Sequence, residues 1–197
     1  MVDSRKICPF VQSTESCVLG SYAIAANFFT HIQIRKFFDD YCRHYNISNF
    51  YIGKYLCGPS RITRDKLSEF AYDSHFHEAC ENSGKSGLEF IKKLHDDSGK
   101  SSFQTSRMIF QLRYYNNQKF QQEREVIQEE LEHNDTLLIA AFNKGSHIAV
   151  FGFDYNKGMF TVETRPFNNP GIHFISTIQE YCTVGDTLKA YRMHKIG

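Results

Sequence analysis

Nowhere does the 197-residue chain approach the roughly 18 consecutive apolar residues of a membrane-crossing helix, so no transmembrane span is expected. The N-terminal stretch MVDSRKICPFVQ has no long apolar core, so no Sec-type signal peptide is evident. No sign of charge dominates. The net charge is +1 and the basic residues are scattered, which leaves no electrostatic footprint for nucleic acid. No internal repeat stands out, so a solenoid is excluded. Tryptophan is absent, and no function attaches to that absence. Cysteine is not scarce. There are six, but without a signal peptide an even count is a weak sign of a disulfide framework. Reduced thiols and a cytoplasmic location are the expectation, or export by a route that uses no signal peptide.

Two apparent ligand motifs fail on spacing. His75-Phe76-His77 with Cys80 lacks a fourth ligand, and structural zinc sites use paired Cys/His motifs. Gly84-Lys85-Ser86 resembles the end of a phosphate-binding loop. The full pattern needs glycine at position 79, which is Ala79, and no strand precedes it.

What is present is a globular composition, 41% apolar and 15% aromatic, in a length that suits one domain with a sizeable core. The clearest local signal spans residues 137–166, LLIAAFNKGSHIAVFGFDYNKGMFTVETRP. Two apolar runs flank the turn NKGS, and a third follows DYNKG. Apolar, β-branched runs separated by Asn/Gly turns predict an antiparallel meander. IHFIS and TLKAYRM add strands beyond it. Upstream, helices are expected from Cys17 to Phe29, Ile32 to Tyr45, Thr63 to Phe70 and on to Cys80, Leu88 to Leu94, and Gln121 to His133. Met108, Ile109, Leu112 and Tyr115 predict one more apolar helix. Helices first and an antiparallel sheet later define an α+β class, with residues 1–133 mainly helical and 134–197 forming the sheet.

His147 opens the middle strand of the meander, and Glu163 lies sixteen residues on, near the end of the next. Adjacent strands can set such positions side by side. An imidazole beside a carboxylate is the base-and-orienter half of a nucleophilic site. Asp154, in the turn after the middle strand, is a second candidate orienter, although its place suits turn capping better.

The nucleophile that completes the set is Cys17. It follows the helix-starting residues Ser13, Thr14 and Ser16 and begins the apolar, alanine-rich run CVLGSYAIAANFF. A thiol at a helix N-terminus faces the positive end of the dipole, which favours thiolate. The free N–H groups there suit a developing oxyanion. Gln12, five residues earlier, offers a side-chain amide for the same purpose. The other five cysteines have no comparable context and read as structural thiols.

A glutamine before a cysteine that opens a buried helix, then a histidine on a later strand, then an acid on the next, resembles the papain-like cysteine peptidase superfamily. The run VIQEELEHNDTLLIAAFNKGSHIAVFGFDYNKGMFTVETRP is similar to its peptidase C39-like branch. The likeness covers roughly residues 8–30 and 120–166. Three positions depart from it: Gln12 is five rather than six residues before Cys17, Val18 stands where glycine is usual, and Glu163 stands where Asp or Asn is usual. The resemblance implies a helical half carrying the Cys helix, packed on a sheet half at an active cleft.

It also implies thiol-dependent amide hydrolysis of a peptide or protein substrate. Cys17 is the nucleophile, His147 the base and acid, Glu163 the orienter, and Gln12 an oxyanion donor. That chemistry requires no metal or organic cofactor. The same triad serves a glutamine deamidase or transglutaminase-like effector. The three departures fit a third reading, a catalytically silent binding module that keeps the fold.

Overall fold

The computed structural model describes residues 1–9, 17–30, 43, 87–98, 110–142, 147–165, 168–178 and 189–195. Within them the chain is α+β. Helices α1 (Cys17–Thr30), α2 (Gly87–Ser98), α3 (Asn117–Gln122) and α4 (Arg124–His133) accompany six strands. The strands are β1 (Phe110–Tyr115), β2 (Thr136–Phe142), β3 (His147–Asp154), β4 (Gly158–Glu163), β5 (Gly171–Phe174) and β6 (Lys189–Lys195). They form one antiparallel sheet in the order β1-β6-β2-β3-β4-β5. No helix among the described residues is long and apolar enough to cross a membrane.

The sheet is covered on both faces, which explains why its central strands are apolar without alternation. On one face Leu137, Ile139 and Ala141 of β2 and Ile148 and Val150 of β3 pack with α1 and with Ile91 and Leu94 of α2. On the other, Leu138, Ala140, Ala149 and Phe151 pack with Phe120 of α3 and Ile127 and Leu131 of α4. Successive residues of a strand point to opposite faces. When both faces are dry, every position is apolar. The run from Val18 to Ala26 in α1 is buried without interruption, as expected of a helix hydrophobic all round. At burial of about 25 cal/mol per Å2, each large side chain of this core contributes about 1.5–3 kcal/mol.

Three expectations change. Residues 110–115 form β1, not a helix, and pair with β6 from Phe110↔Lys195 to Tyr115↔Ala190. The sheet therefore draws a strand from the half expected to be helical. The helix expected over Gln121–His133 starts earlier and is broken. Asn116 caps α3, its side chain accepting from the Lys119 N–H at 2.9 Å, and Glu123 at φ −102° and ψ 13° separates α3 from α4. Cys8 is disulfide-bonded, not a reduced thiol, to a partner outside the described residues. Gln12, the NKGS turn, the helices expected at 32–45 (Arg43 aside) and 63–80, and the motifs around His75, Cys80 and Gly84 also lie outside them.

The turn DYNKG between β3 and β4 forms as expected. Gly158 takes φ +84°, a left-handed conformation that favours glycine. Asp154 Oδ1 accepts from the N–H groups of Asn156 at 2.9 Å and Lys157 at 3.1 Å. Its Oδ2 accepts from the Ser4 N–H at 2.8 Å, which ties the N-terminal segment to the sheet. The Ser4 hydroxyl, the Ser4 N–H and the two turn N–H groups hold the Asp154 carboxyl down to about 2.

A depressed carboxyl stabilises the fold above its unfolded value and loses that contribution as pH falls through its folded value. Here the window runs from about pH 4 to 2 and is worth about 2 kcal/mol. Asp154→Asn is expected to cost about that much at pH 7 and to converge with the wild type near pH 2 in urea denaturation. Asp154 is seven residues from His147 along β3, a span of about 23 Å, so the variant's turnover per folded molecule should not change.

Candidate active site

The site forms at the end of β3 opposite that turn. The last rung between β3 and β4 at this end is Val150↔Val162. One step further along this register Ala149 faces Glu163, so His147 is the diagonal neighbour of Glu163 on the same sheet face, within reach of long side chains. His147 Nε2 lies 3.5 Å from Glu163 Oε1, and both side chains are almost fully buried, at 3% and 2% exposure. The separation is long for a hydrogen bond, as catalytic contacts often are before substrate binds. Glu163 is thus placed beside His147 as its position in the sequence predicts.

Glu163 has a second and tighter partner. Arg165 donates from its backbone N–H to Oε1 at 2.8 Å. Its Nε reaches Oε1 at 3.0 Å and Oε2 at 3.1 Å, and its Nη2 reaches Oε2 at 2.6 Å. With its amide turned to satisfy its donors and acceptors, Asn168 accepts from Arg165 Nη2 at 2.7 Å. The Asn168 N–H donates to the Arg165 carbonyl at 3.2 Å. A carboxylate gripped by a forked guanidinium is fixed in plane and rotation. It offers His147 a static acceptor.

Cys17 is the first residue of α1 and its thiol is free and half-buried. The N–H of Ile148, the residue after His147, is directed at its sulfur, as is the N–H of Val18. Ser21, one turn further along α1, donates its hydroxyl to the Ile148 carbonyl at 3.3 Å. A strand residue turns both its main-chain groups to one side. For Ile148 both groups meet α1, beyond the last β3–β4 rung. Residues four apart share a helix face, so Cys17 and Ser21 dock the helix start onto β3 at Ile148, while strand alternation turns the neighbouring His147 side chain to the other face of the sheet.

The electrostatics are divided. Burial pushes the Cys17 thiol up. The Ile148 and Val18 N–H groups and the charge of Arg165 act the other way and are outweighed. The lowering expected of a helix N-terminus is therefore not reached by these groups.

Neither Arg165 nor Ser21 figures among the sequence candidates. Strand alternation carries a signal for the first, since residues 163 and 165 fall on one face. A serine four residues after the cysteine, in a mostly apolar run, carries a signal for the second. Among the described residues no group of three His, Cys, Asp or Glu side chains is placed to hold a metal ion. Comparison of the chain with protein-family models, with curated proteins and with solved structures gives no match in any of the three.

Proposed function

We propose that the chain is a thiol-dependent amide hydrolase with a papain-like arrangement, acting on a peptide or protein substrate. The observation that carries the reading is the buried His147–Glu163 pair at the end of β3, with the start of α1, which carries Cys17, docked through Ile148, the residue next to His147. In this reading Glu163 faces Nε2 of the imidazole, so Nδ1 takes the proton of the Cys17 thiol. The thiolate attacks the carbonyl carbon of the amide. The imidazolium then protonates the leaving amine, and a water activated by the same nitrogen releases the acyl group. The Cys17 N–H is suited to the oxyanion, and Gln12 is the side-chain donor that the sequence offers for it.

A main-chain amide makes the enzyme a peptidase. A glutamine side chain makes it a deamidase, or a transglutaminase where an amine replaces water. Incubation with cell lysate distinguishes these by product: new peptide termini in the first case, Gln-to-Glu conversion with release of ammonia in the second. The expected result is one of these products from the wild type and none from Cys17→Ala. If neither product forms, and Cys17 reacts with iodoacetamide no faster at pH 6.5 than a free thiol such as N-acetylcysteine, the catalytic reading fails. The silent-module reading then stands. The elevation of the Cys17 thiol by burial is the observation that favours that second reading.

A further inference from the structure

On the proposed catalytic reading, we infer that Arg165 is a positioning residue that makes the Glu163 carboxylate usable as the orienter of His147. It locks the carboxylate in place and offsets its charge. The departure from Asp or Asn at position 163 is where the inference begins. A buried glutamate brings a longer, more mobile side chain and a full negative charge into the site. Arg165 answers both. Its fork and its backbone N–H make four contacts of 2.6–3.1 Å with the two carboxylate oxygens. The pair is then net neutral, so His147 faces a fixed acceptor with little net charge behind it, as it would with an amide orienter.

The cation also bears on the thiol. Among the described residues, the charge that acts on the Cys17 sulfur is that of Arg165, two residues beyond β4, which is paired with Glu163 and through it linked to His147. Helix α1 carries no charged residue of its own. Arg165 is therefore the permanent positive charge in this group, and it lies on the side that favours thiolate. Without it, an uncompensated Glu163 would retain the imidazolium and repel the thiolate together. The repulsion and the loss of the cation move thiol reactivity to higher pH, and the retained imidazolium, which favours its thiolate partner, opposes part of that move.

The test is the pH dependence of iodoacetamide labelling at Cys17, mapped by mass spectrometry on the full chain. It needs no substrate. Relative to wild type, Arg165→Gln is expected to move the labelling midpoint up by about one pH unit, the lower end of the effect of one nearby charge. Labelling near pH 6.5 then falls about tenfold. The double variant Glu163→Gln with Arg165→Gln restores net neutrality and should return the midpoint to within about half a unit of wild type. A merely structural arginine would lower thermal stability in both variants and leave the midpoint where it was.

Arg165→Gln leaves a buried carboxylate without its partner and can fail to fold. In that case Glu163→Gln is compared with the double variant. Glu163→Gln retains the cation and must label at lower pH than the double variant. Equal midpoints in that pair, or an unmoved midpoint in folded Arg165→Gln, overturn the role given to Arg165. The wild-type profile answers the separate question of the function. A wild-type thiol that labels only at alkaline pH counts against the catalytic reading, while the differences between variants still decide the effect of Arg165.

Discussion

Replacement of His147 by alanine is expected to abolish neutral-pH reactivity of Cys17 and to cut turnover by about 10²- to 10⁴-fold. Burial raises the thiol, and the Ile148 N–H, the Val18 N–H and Arg165 do not bring it back down. A thiol at or above its ordinary value is thiolate to less than about one per cent at pH 6.5. An active site built this way owes its thiolate to proton transfer to the adjacent imidazole. The helix start contributes, but less than burial removes. Labelling of His147→Ala at pH 6.5 should therefore be at least about tenfold slower than wild type. The two should converge at alkaline pH, above the raised value of the thiol, where it ionises unaided. Equal labelling at pH 6.5 would mean that the helix and Arg165 supply the thiolate and that His147 is a satisfied core histidine. Circular dichroism of the variant separates that outcome from unfolding, because His147 lies in a strand buried on both faces.

The site was legible in the sequence where the local rule and the tertiary demand agree. The turn DYNKG, with Gly158 at positive φ, fixes the register of β3 on β4, and that register brings residues sixteen apart to a diagonal contact. Cys17 stands first in α1 because an apolar run begins there. The misreadings have physical causes as well. Residues Met108, Ile109, Leu112 and Tyr115 have helical spacing, yet FQLRYY is a strand. As β1 it is the outer strand of the sheet, paired with β6 on one side. Tyr115 is buried with α3 and α4, while Leu112 packs against the other core. A strand at the margin of a sheet needs few apolar residues, and those few mimic helical spacing by accident. Arg165 was legible only as a residue on the same face as Glu163. Its importance comes from a buried partner, and burial of Glu163 follows from the fold rather than from any local pattern.

Loss of the Glu163 carboxylate is expected to act mainly on turnover and only secondarily on stability, and that asymmetry is itself diagnostic. Breaking a buried ion pair costs about 3–5 kcal/mol when the remaining charge is left buried. Glu163→Gln leaves Arg165, whose side chain is 31% exposed and can regain water. Its cost should be smaller, about 1–2 kcal/mol in urea denaturation. Turnover should fall by about 10²-fold or more for Glu163→Ala, because an imidazole without its acceptor spends less time aligned for proton transfer. Glu163→Gln retains an acceptor oxygen and should recover part of that loss. Glu163→Asp places the carboxylate one methylene back. It can follow the Arg165 fork or approach His147, but not both, so it should match Gln in stability and fall below it in rate. Cys17 labelling should persist in all three, since none removes the base. Full turnover in a folded Glu163→Ala protein would reduce the machinery to a Cys17–His147 dyad and leave the carboxylate as nothing more than the anchor of Arg165.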